Sequence, residues 1–232
     1  MTIKILAVIP ARGNSKSIKL KNITKFDKKP LIEYTIKAAK KSKYIDDLIV
    51  STDNKKIKKI CETLNCRVPF LRPSKLSRDS TPTLPVILHA VRFMEKSLKK
   101  KYDYILLLQP TSPLRQVRDI DNSIKLLLRN KKFDSIVSVT EVGANHPYRM
   151  KIIKKNKLIN FFDQGFEDMR PRQKLPKVYI RNGAIYLIKK KTLFKKGSLV
   201  GYNTLPYIMK KNNSINIDSQ EDLLLARYYL KK

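Results

Sequence analysis

A chain of 232 residues has room for one large domain or two small ones, and 42% hydrophobic with 30% charged residues excludes a disordered chain. The formal net charge of +32 at pH 7 raises nucleic-acid binding, but the lysines are scattered over many short clusters, tryptophan is absent and aromatics are not interleaved with them. That distribution reads as solvated faces, with a positive field that gathers anionic substrates such as nucleotides.

Residues 3–9 form a β-branched, nearly all-apolar run, the pattern of a strand buried on both faces. It stops at Pro10 and enters Ala11-Arg12-Gly13-Asn14-Ser15-Lys16. A glycine that admits close backbone approach, a hydroxyl, exposed N–H groups and two fixed cations are the parts of a phosphate cradle. The spacing is neither a Walker A loop nor a dinucleotide fingerprint. Residue types alone leave two readings open, a phosphate cradle or an ordinary basic loop.

Leu31, Tyr34 and Ala38 share a helical face behind Pro30, which suits a helix start. Residues 47–50 read as a second strand, ending in Ser51-Thr52-Asp53-Asn54, the composition of a helix cap. Ile57, Ile60, Cys61 and Leu64 mark the next helix. Residues 67–70 read as a brief strand before an irregular stretch to Pro82. Leu84, Ile87, Leu88, Val91 and Met94 mark a long amphipathic helix. Residues 104–108 form a buried strand closed by Gln109-Pro110-Thr111-Ser112-Pro113-Leu114-Arg115. A helix follows through Ile120, Ile124, Leu127 and Leu128, then a strand at 135–139.

This alternation predicts a doubly wound, mostly parallel α/β sheet. Ligands of such sheets bind beyond the carboxyl ends of the strands, so residues 12–16, 51–53 and 109–115 are expected to converge on one crevice. From Thr140 the pattern changes. Residues 148–153 and 158–162 predict a hairpin around 154–157, a charged loop spans 163–176, and 178–188 resumes an extended form. The hairpin reads as an excursion from the sheet and a dimerisation arm. The chain closes with residues 214–218 and a helix over 221–230.

The longest apolar runs are strand-sized, so no membrane span is expected, and the N-terminus lacks the features of a signal peptide. Cytoplasmic location follows as the expectation. Cys61 and Cys66 lie too close together, with no second pair, for a zinc site or a disulfide scaffold, and Cys61 reads as a buried reduced thiol. His89 and His146 have no nucleophile or metal constellation around them and read as structural.

The run Ile9-Pro10-Ala11-Arg12-Gly13-Asn14-Ser15-Lys16-Ser17-Ile18-Lys19-Leu20-Lys21-Asn22 resembles the I-P-A-R-G-G-S-K-G-I-P-x-K-N signature of cytidylyltransferases that activate nonulosonic acids. These are the CMP-N-acylneuraminate synthetases and their relatives for legionaminic and pseudaminic acid. Asn14 and Ser17 stand where the signature has glycines, and Lys19 where it has proline. The similarity extends through Ser51-Thr52-Asp53, Arg72-Pro73, residues 108–115, Arg172-Gln173 with Pro176 and Tyr179, residues 182–186, and Ile217-Asp218.

The resemblance implies a single Rossmann-like nucleotidyltransferase domain over 1–232, with a β-hairpin dimerisation excursion at about 141–180. It implies that CTP and a free nonulosonic acid give a CMP-sugar and pyrophosphate, on a homodimer that uses Mg2+. Arg12, Lys16 and Lys21 would stabilise phosphate charge, helped by Ala11, Gly13, Asn14 and Ser15 of the loop. Asn22, Arg72, Ser80 and Thr83 would contact the nucleotide. Gln109, Ser112 and Arg115 would hold the sugar, with Asn182 beside it. Arg170, Arg172, Gln173 and Tyr179 would reach a partner's sugar site. The family's D-x-D metal motif is here Asn216-Ile217-Asp218, so Asp218 keeps the carboxylate and Asn216 offers a neutral oxygen. Alternatives in other classes are a basic nucleic-acid-binding protein and a sugar-1-phosphate nucleotidyltransferase using another nucleotide. The legionaminic-type branch is the nearer match within the family, on residues 145–148 and 172–173.

Overall fold

The computed structural model describes residues 3–15, 17–162 and 165–231. The first strand, β1 (Ile5–Pro10), lies between two parallel neighbours, and its first five residues are buried. Its side chains alternate between two cores. Ile5, Ala7 and Ile9 face one hydrophobic layer, and Leu6 and Val8 face the other. An apolar run without polar interruption is what a strand covered on both sides requires.

A small ribbon, β2 (Lys25–Phe26) and β3 (Lys29–Pro30), leads into α1 (Leu31–Lys40). Ile32, Ile36 and Ala39 of α1 enter the first core, while Tyr34 packs edge-on against Phe26. β4 (Asp47–Ser51) pairs with β1, and α2 (Lys55–Thr63) follows, capped by Asn54 Oδ1, which accepts from the N–H groups of Lys56 and Ile57. Residues 67–70 do not form the expected strand. They make isolated parallel bridges, Ile49 with Arg67 and Thr52 with Leu71. Pro69 between them has no N–H to extend a ladder.

α3 (Thr83–Leu98) places Ile87, Ala90, Val91 and Met94 on the second core. β5 (Tyr104–Leu107), α4 (Val117–Arg129) and β6 (Ser135–Glu141) come next. The expected hairpin is present as β7 (Lys151–Lys154) and β8 (Lys157–Asn160), a separate two-stranded sheet. Its turn residues Lys155 and Asn156 both have positive φ, the conformation of a two-residue hairpin loop. Tyr148 lies in a 3-10 turn with Pro147 and Arg149, outside that sheet.

β9 (Tyr179–Lys189) inserts between β5 and β6 and runs antiparallel to both. α5 (Lys190–Lys196) and β10 (Thr204–Ile208) follow, and α6 (Gln220–Leu230) closes the chain. The sheet order is β10-β6-β9-β5-β1-β4. Helices α1, α2 and α4 contribute to one core, α3 and α5 to the other, so the sheet is covered on both faces. A third cluster joins Ile18, Phe26, Leu31 and Leu114 to Ile217, Leu223 and Ala226. It carries the end of the chain to the carboxyl ends of β1 and β5, where Ile217 N donates to Thr111 O at 2.8 Å.

Candidate functional site

The crevice lies beyond the carboxyl ends of β1, β4 and β5. It holds about 330 Å³ and is lined by Arg12, Asn14, Ser15, Lys21, Asn22, Arg72, Thr81, Thr83, Gln109 and Asp218, among others. Residues from six separate stretches of chain therefore meet on one wall.

The loop after β1 is built by close packing. A Cβ at Gly13 would stand 2.7 Å from Asn54 Nδ2 and 2.8 Å from Asn54 Cβ, so glycine is required there by space. Gly13 N donates to Asp53 Oδ1 (2.9 Å), and Ala11 N donates to Ser51 O (2.9 Å). Those two N–H groups are thus spent on β4 and the turn after it, and an anion nest must draw on others. Arg12 reaches across to Asp79, donating to its carbonyl at 3.2 Å and pairing with its carboxylate at 3.1 Å. Asn22 is buried and donates from Nδ2 to Arg12 O (2.9 Å), which fixes the loop from behind. Lys16 lies outside the described residues.

Lys21 Nζ donates to Asp218 Oδ1 (2.9 Å) and to Ile217 O (3.0 Å). Asp218 Oδ2 accepts from Asn216 Nδ2. Asn216 Oδ1 is buried without a partner among the described residues. Asp218 does not cap α6; Ser219 does, in a reciprocal box with Asp222. The Asp218 carboxylate is therefore left facing the crevice. Among the described residues no three His, Cys, Asp or Glu side chains come together. One carboxylate beside an orphaned amide oxygen nevertheless fits Mg2+, which takes few protein oxygens and completes its shell with phosphates and water.

Arg72 is buried, its Nε donating to Ser51 Oγ (3.1 Å) and its Nη2 to Ser51 O. Burial pulls its guanidinium below the usual range, partly offset by the charge of Asp53. Thr83 opens α3 on the crevice wall, whereas Ser80 is exposed and Thr81 takes the lining position.

Gln109 lies two residues beyond β5 and lines the crevice. Three expected sugar contacts lie behind it instead. Arg115 is 3% exposed, donating to Ala184 O (2.7 Å), Gln109 O (3.3 Å) and Thr35 Oγ1 (2.7 Å). Ser112 donates to Asn182 O (3.3 Å). Asn182 accepts from Ser138 Oγ (2.6 Å) and donates to Ser214 Oγ (2.9 Å). Together they lock a bulge where β9 slips register against β6 between Val137 and Val139. Within it Gly183 has φ +74°, and a Cβ there would stand 2.8 Å from Gln109 Oε1. The bulge brings bare backbone against the Gln109 side chain.

Arg172 and Gln173 line a different cavity of about 490 Å³ with Glu141, His146 and Leu175, and Tyr179 starts β9 at the surface. Arg170 pairs with the buried Asp168. These residues do not join the crevice within one chain. Sequence reasoning missed Lys55 and Lys56, which line a cavity adjoining the loop through Asn14 and Ser15. It also missed Arg181 and Tyr186, which line one beyond Gln109. The lysine pair directly after the Asn54 cap was a visible signal, and Tyr186 closes the 182–186 stretch that resembles the family; Arg181 gave none.

The family model described as "Cytidylyltransferase" matches residues 6–225. The chain belongs to the cytidylyltransferase family. It is 31% identical to a CMP-N,N'-diacetyllegionaminic acid synthase of Legionella pneumophila, over 96% of this chain and 94% of that protein. It is 30% identical to the post-translational flagellin modification protein B of Campylobacter coli, over 99% of this chain and 96% of that protein. An N-acylneuraminate cytidylyltransferase of Escherichia coli is 34% identical over 97% of this chain, which spans about half (52%) of that longer protein. Among solved structures, a CMP:2-keto-3-deoxy-manno-octonic acid synthetase complexed with CTP aligns over 98% of both chains, with TM-score 0.71 and 15% identity. The mostly parallel α/β architecture is that of this cytidylyltransferase fold. The family makes this chain a nucleotidyltransferase and gives no support to the nucleic-acid-binding alternative.

Proposed function

We propose that the protein transfers the cytidylyl group of CTP to the anomeric hydroxyl of a nonulosonic acid of legionaminic or neuraminic type, releasing pyrophosphate. The observation that carries this reading is the Lys21–Asp218 pair, set on one wall with the Arg12–Ser15 loop and Gln109. Full-length relatives named for CMP-legionaminate synthesis support the sugar class.

In the reaction the sugar hydroxyl oxygen attacks the α-phosphorus, the bond to pyrophosphate breaks, and the hydroxyl proton passes to solvent water. Negative charge grows on the phosphates as pyrophosphate leaves, so fixed cations aimed at them lower the barrier. Lys21 is held at the crevice by Asp218 and a backbone carbonyl, ready to meet that charge. Arg12 and Lys16 would bind the leaving phosphates, with Arg12 exchanging Asp79 for phosphate oxygens. Arg72, Asn22 and Thr83 shape the nucleoside end. Asp218 and Asn216 would hold Mg2+, which supplies charge neutralisation on phosphate oxygens when bound.

The exposed apolar side chains of the hairpin, with Ile153 at 78% and Leu158 at 68%, support its reading as the arm of a homodimer. Arg172, Gln173 and Tyr179 would then serve the partner's sugar site. Two buried free thiols suit a reducing cytoplasm; no helix among the described residues is long and apolar enough to cross a membrane.

Pyrophosphate release, assayed with CTP, UTP, GTP and ATP against legionaminic, pseudaminic and neuraminic acids, tests the reading. Turnover is expected with CTP and a nonulosonic acid, giving a CMP-sugar by mass. Turnover only with a sugar phosphate, or with no pair at all, would overturn it.

A further inference from the structure

The crevice does not end at Gln109. A second cavity of about 350 Å³ lies against it, sharing Thr83 and Gln109 as common wall. Leu84, Leu107 and Tyr186 form its apolar side, and residues 197–200, after α5, form its rim. Among the described residues, Arg181 is the one charged residue lining it.

A nonulosonic acid carries its carboxylate on the carbon whose hydroxyl reacts. That charge must be brought beside a triphosphate, and a cation on the sugar side is needed to offset the repulsion. The cations around the crevice are mostly committed. Arg12 is paired with Asp79, Lys21 with Asp218, and Arg72 is bound to Ser51. Arg115 is enclosed by backbone carbonyls and Thr35, and Arg172 faces another cavity. The Arg181 guanidinium makes no hydrogen bond or ion pair with a described residue, although its charge is felt at the Tyr186 hydroxyl.

Its aim is built into the backbone. Arg181 pairs with Val139 immediately before the bulge that Asn182 locks through Ser138 and Ser214. Bulges beside active sites re-aim neighbouring side chains, and here one fixes the strand between Arg181 and Tyr186.

We propose that Arg181 binds the carboxylate of the acidic sugar in the cavity beyond Gln109, and so selects 2-keto acid sugars over neutral ones. The assignment rests on the cytidylyltransferase reading above and names the residue that reads the substrate's charge. A guanidinium presents two parallel N–H groups to a carboxylate, which an ammonium cannot do.

The test compares wild type, Arg181→Ala and Arg181→Lys, each checked by thermal melting. It measures KM for the nonulosonic acid, KM for CTP, and inhibition by the carboxamide of the same sugar. The expected result is a sugar KM raised at least 30-fold in Arg181→Ala and partly restored in Arg181→Lys. CTP KM stays within twofold, and the carboxamide, which lacks the charge, inhibits all three proteins alike. A sugar KM within threefold of wild type, or equal loss of acid and carboxamide affinity, overturns the assignment while wild-type turnover leaves the cytidylyltransferase reading intact. Absence of wild-type turnover with every nonulosonic acid overturns both.

Discussion

Lys21 and Asp218, 197 residues apart, meet at 2.9 Å across the mouth of the crevice. The contact closes the fold's first and last functional segments on each other. Lys21 is 13% exposed and Asp218 67%, so the ammonium is fixed and the carboxylate remains open to solvent on its other side.

Replacing Lys21 with Met keeps the stem and removes the charge. Turnover is expected to fall by about 100-fold or more, the scale of losing one preorganised charge-stabilising donor. The melting temperature should move little, because a pair with one open partner contributes about 0–1 kcal/mol to stability. Steady-state kinetics with a parallel melt checks both; a large fall in melting temperature with intact turnover would contradict the assignment.

Gly183→Ala puts a methyl group 2.8 Å from Gln109 Oε1 at φ +74°. The backbone strain alone costs about 1–3 kcal/mol. Gln109 must also swing away, so sugar KM should rise. In the Gly183→Ala/Gln109→Ala double variant the clash is relieved but the strain stays. Urea denaturation should therefore show partial recovery of stability, and equal loss with or without Gln109 would show that the contact carries no weight.

Arg115→Met is expected to act on the fold. Ala184 O and Gln109 O lose a donor in a dry interior, each loss costing about 1–3 kcal/mol. Protein that survives should show a sharply lower urea midpoint. Its sugar KM, measured below that midpoint, should stay close to wild type, because Arg115 is buried behind Gln109. A sugar KM raised without loss of stability would return Arg115 to the binding site.

The contrast between Arg115 and Arg181 explains what was legible. Arg115 lies in the turn before α4 and Arg181 near the start of β9, both in or beside stretches that resemble the family's, and residue type cannot tell which one turns inward. That choice is made by the β9 bulge, which depends on Ser138 meeting Asn182, a contact 44 residues long. The buried run of β1 announced itself because a strand covered on both faces needs continuous apolar residues. The direction of β9 did not, since an apolar run carries no sign of which way it enters the sheet. β10 is half exposed, holds Pro206 and lies at the edge of the sheet beside β6, so its pattern is weak. The cations of the crevice were visible by type, but their partners, Asp79 for Arg12 and Asp218 for Lys21, were not.

The thiols supply a pH prediction. Burial pushes Cys61 up to about 12 and Cys66 up to about 11, from an ordinary 9.0. A folded-state value above the unfolded one means that the native state holds its protons longer. The stabilising contribution is complete below pH 9 and declines as pH rises toward 11–12. Urea midpoints measured from pH 8 to 10.5 should fall more steeply for wild type than for Cys61→Ala. Neither thiol should react with a disulfide reagent at pH 8 until urea is added. Parallel pH curves, or fast native labelling, would refute the burial argument.

Asn216→Asp converts the amide beside Asp218 into a second carboxylate. In the native protein Asn216 donates to Asp218, and its own Oδ1 is buried without a partner among the described residues. Two carboxylates at that separation repel each other unless a cation lies between them, so the variant should bind divalent metal more tightly and depend on it more. Titration of Mn2+ in the presence of CTP, read by electron paramagnetic resonance, is expected to show affinity raised about tenfold over wild type, a difference of about 1.4 kcal/mol. The metal-depleted variant should melt lower than metal-depleted wild type, because the like charges are then uncompensated. Asp218→Asn should abolish the metal-dependent shift in melting altogether. Unchanged affinity in Asn216→Asp, with full metal binding in Asp218→Asn, would move the cation away from this pair.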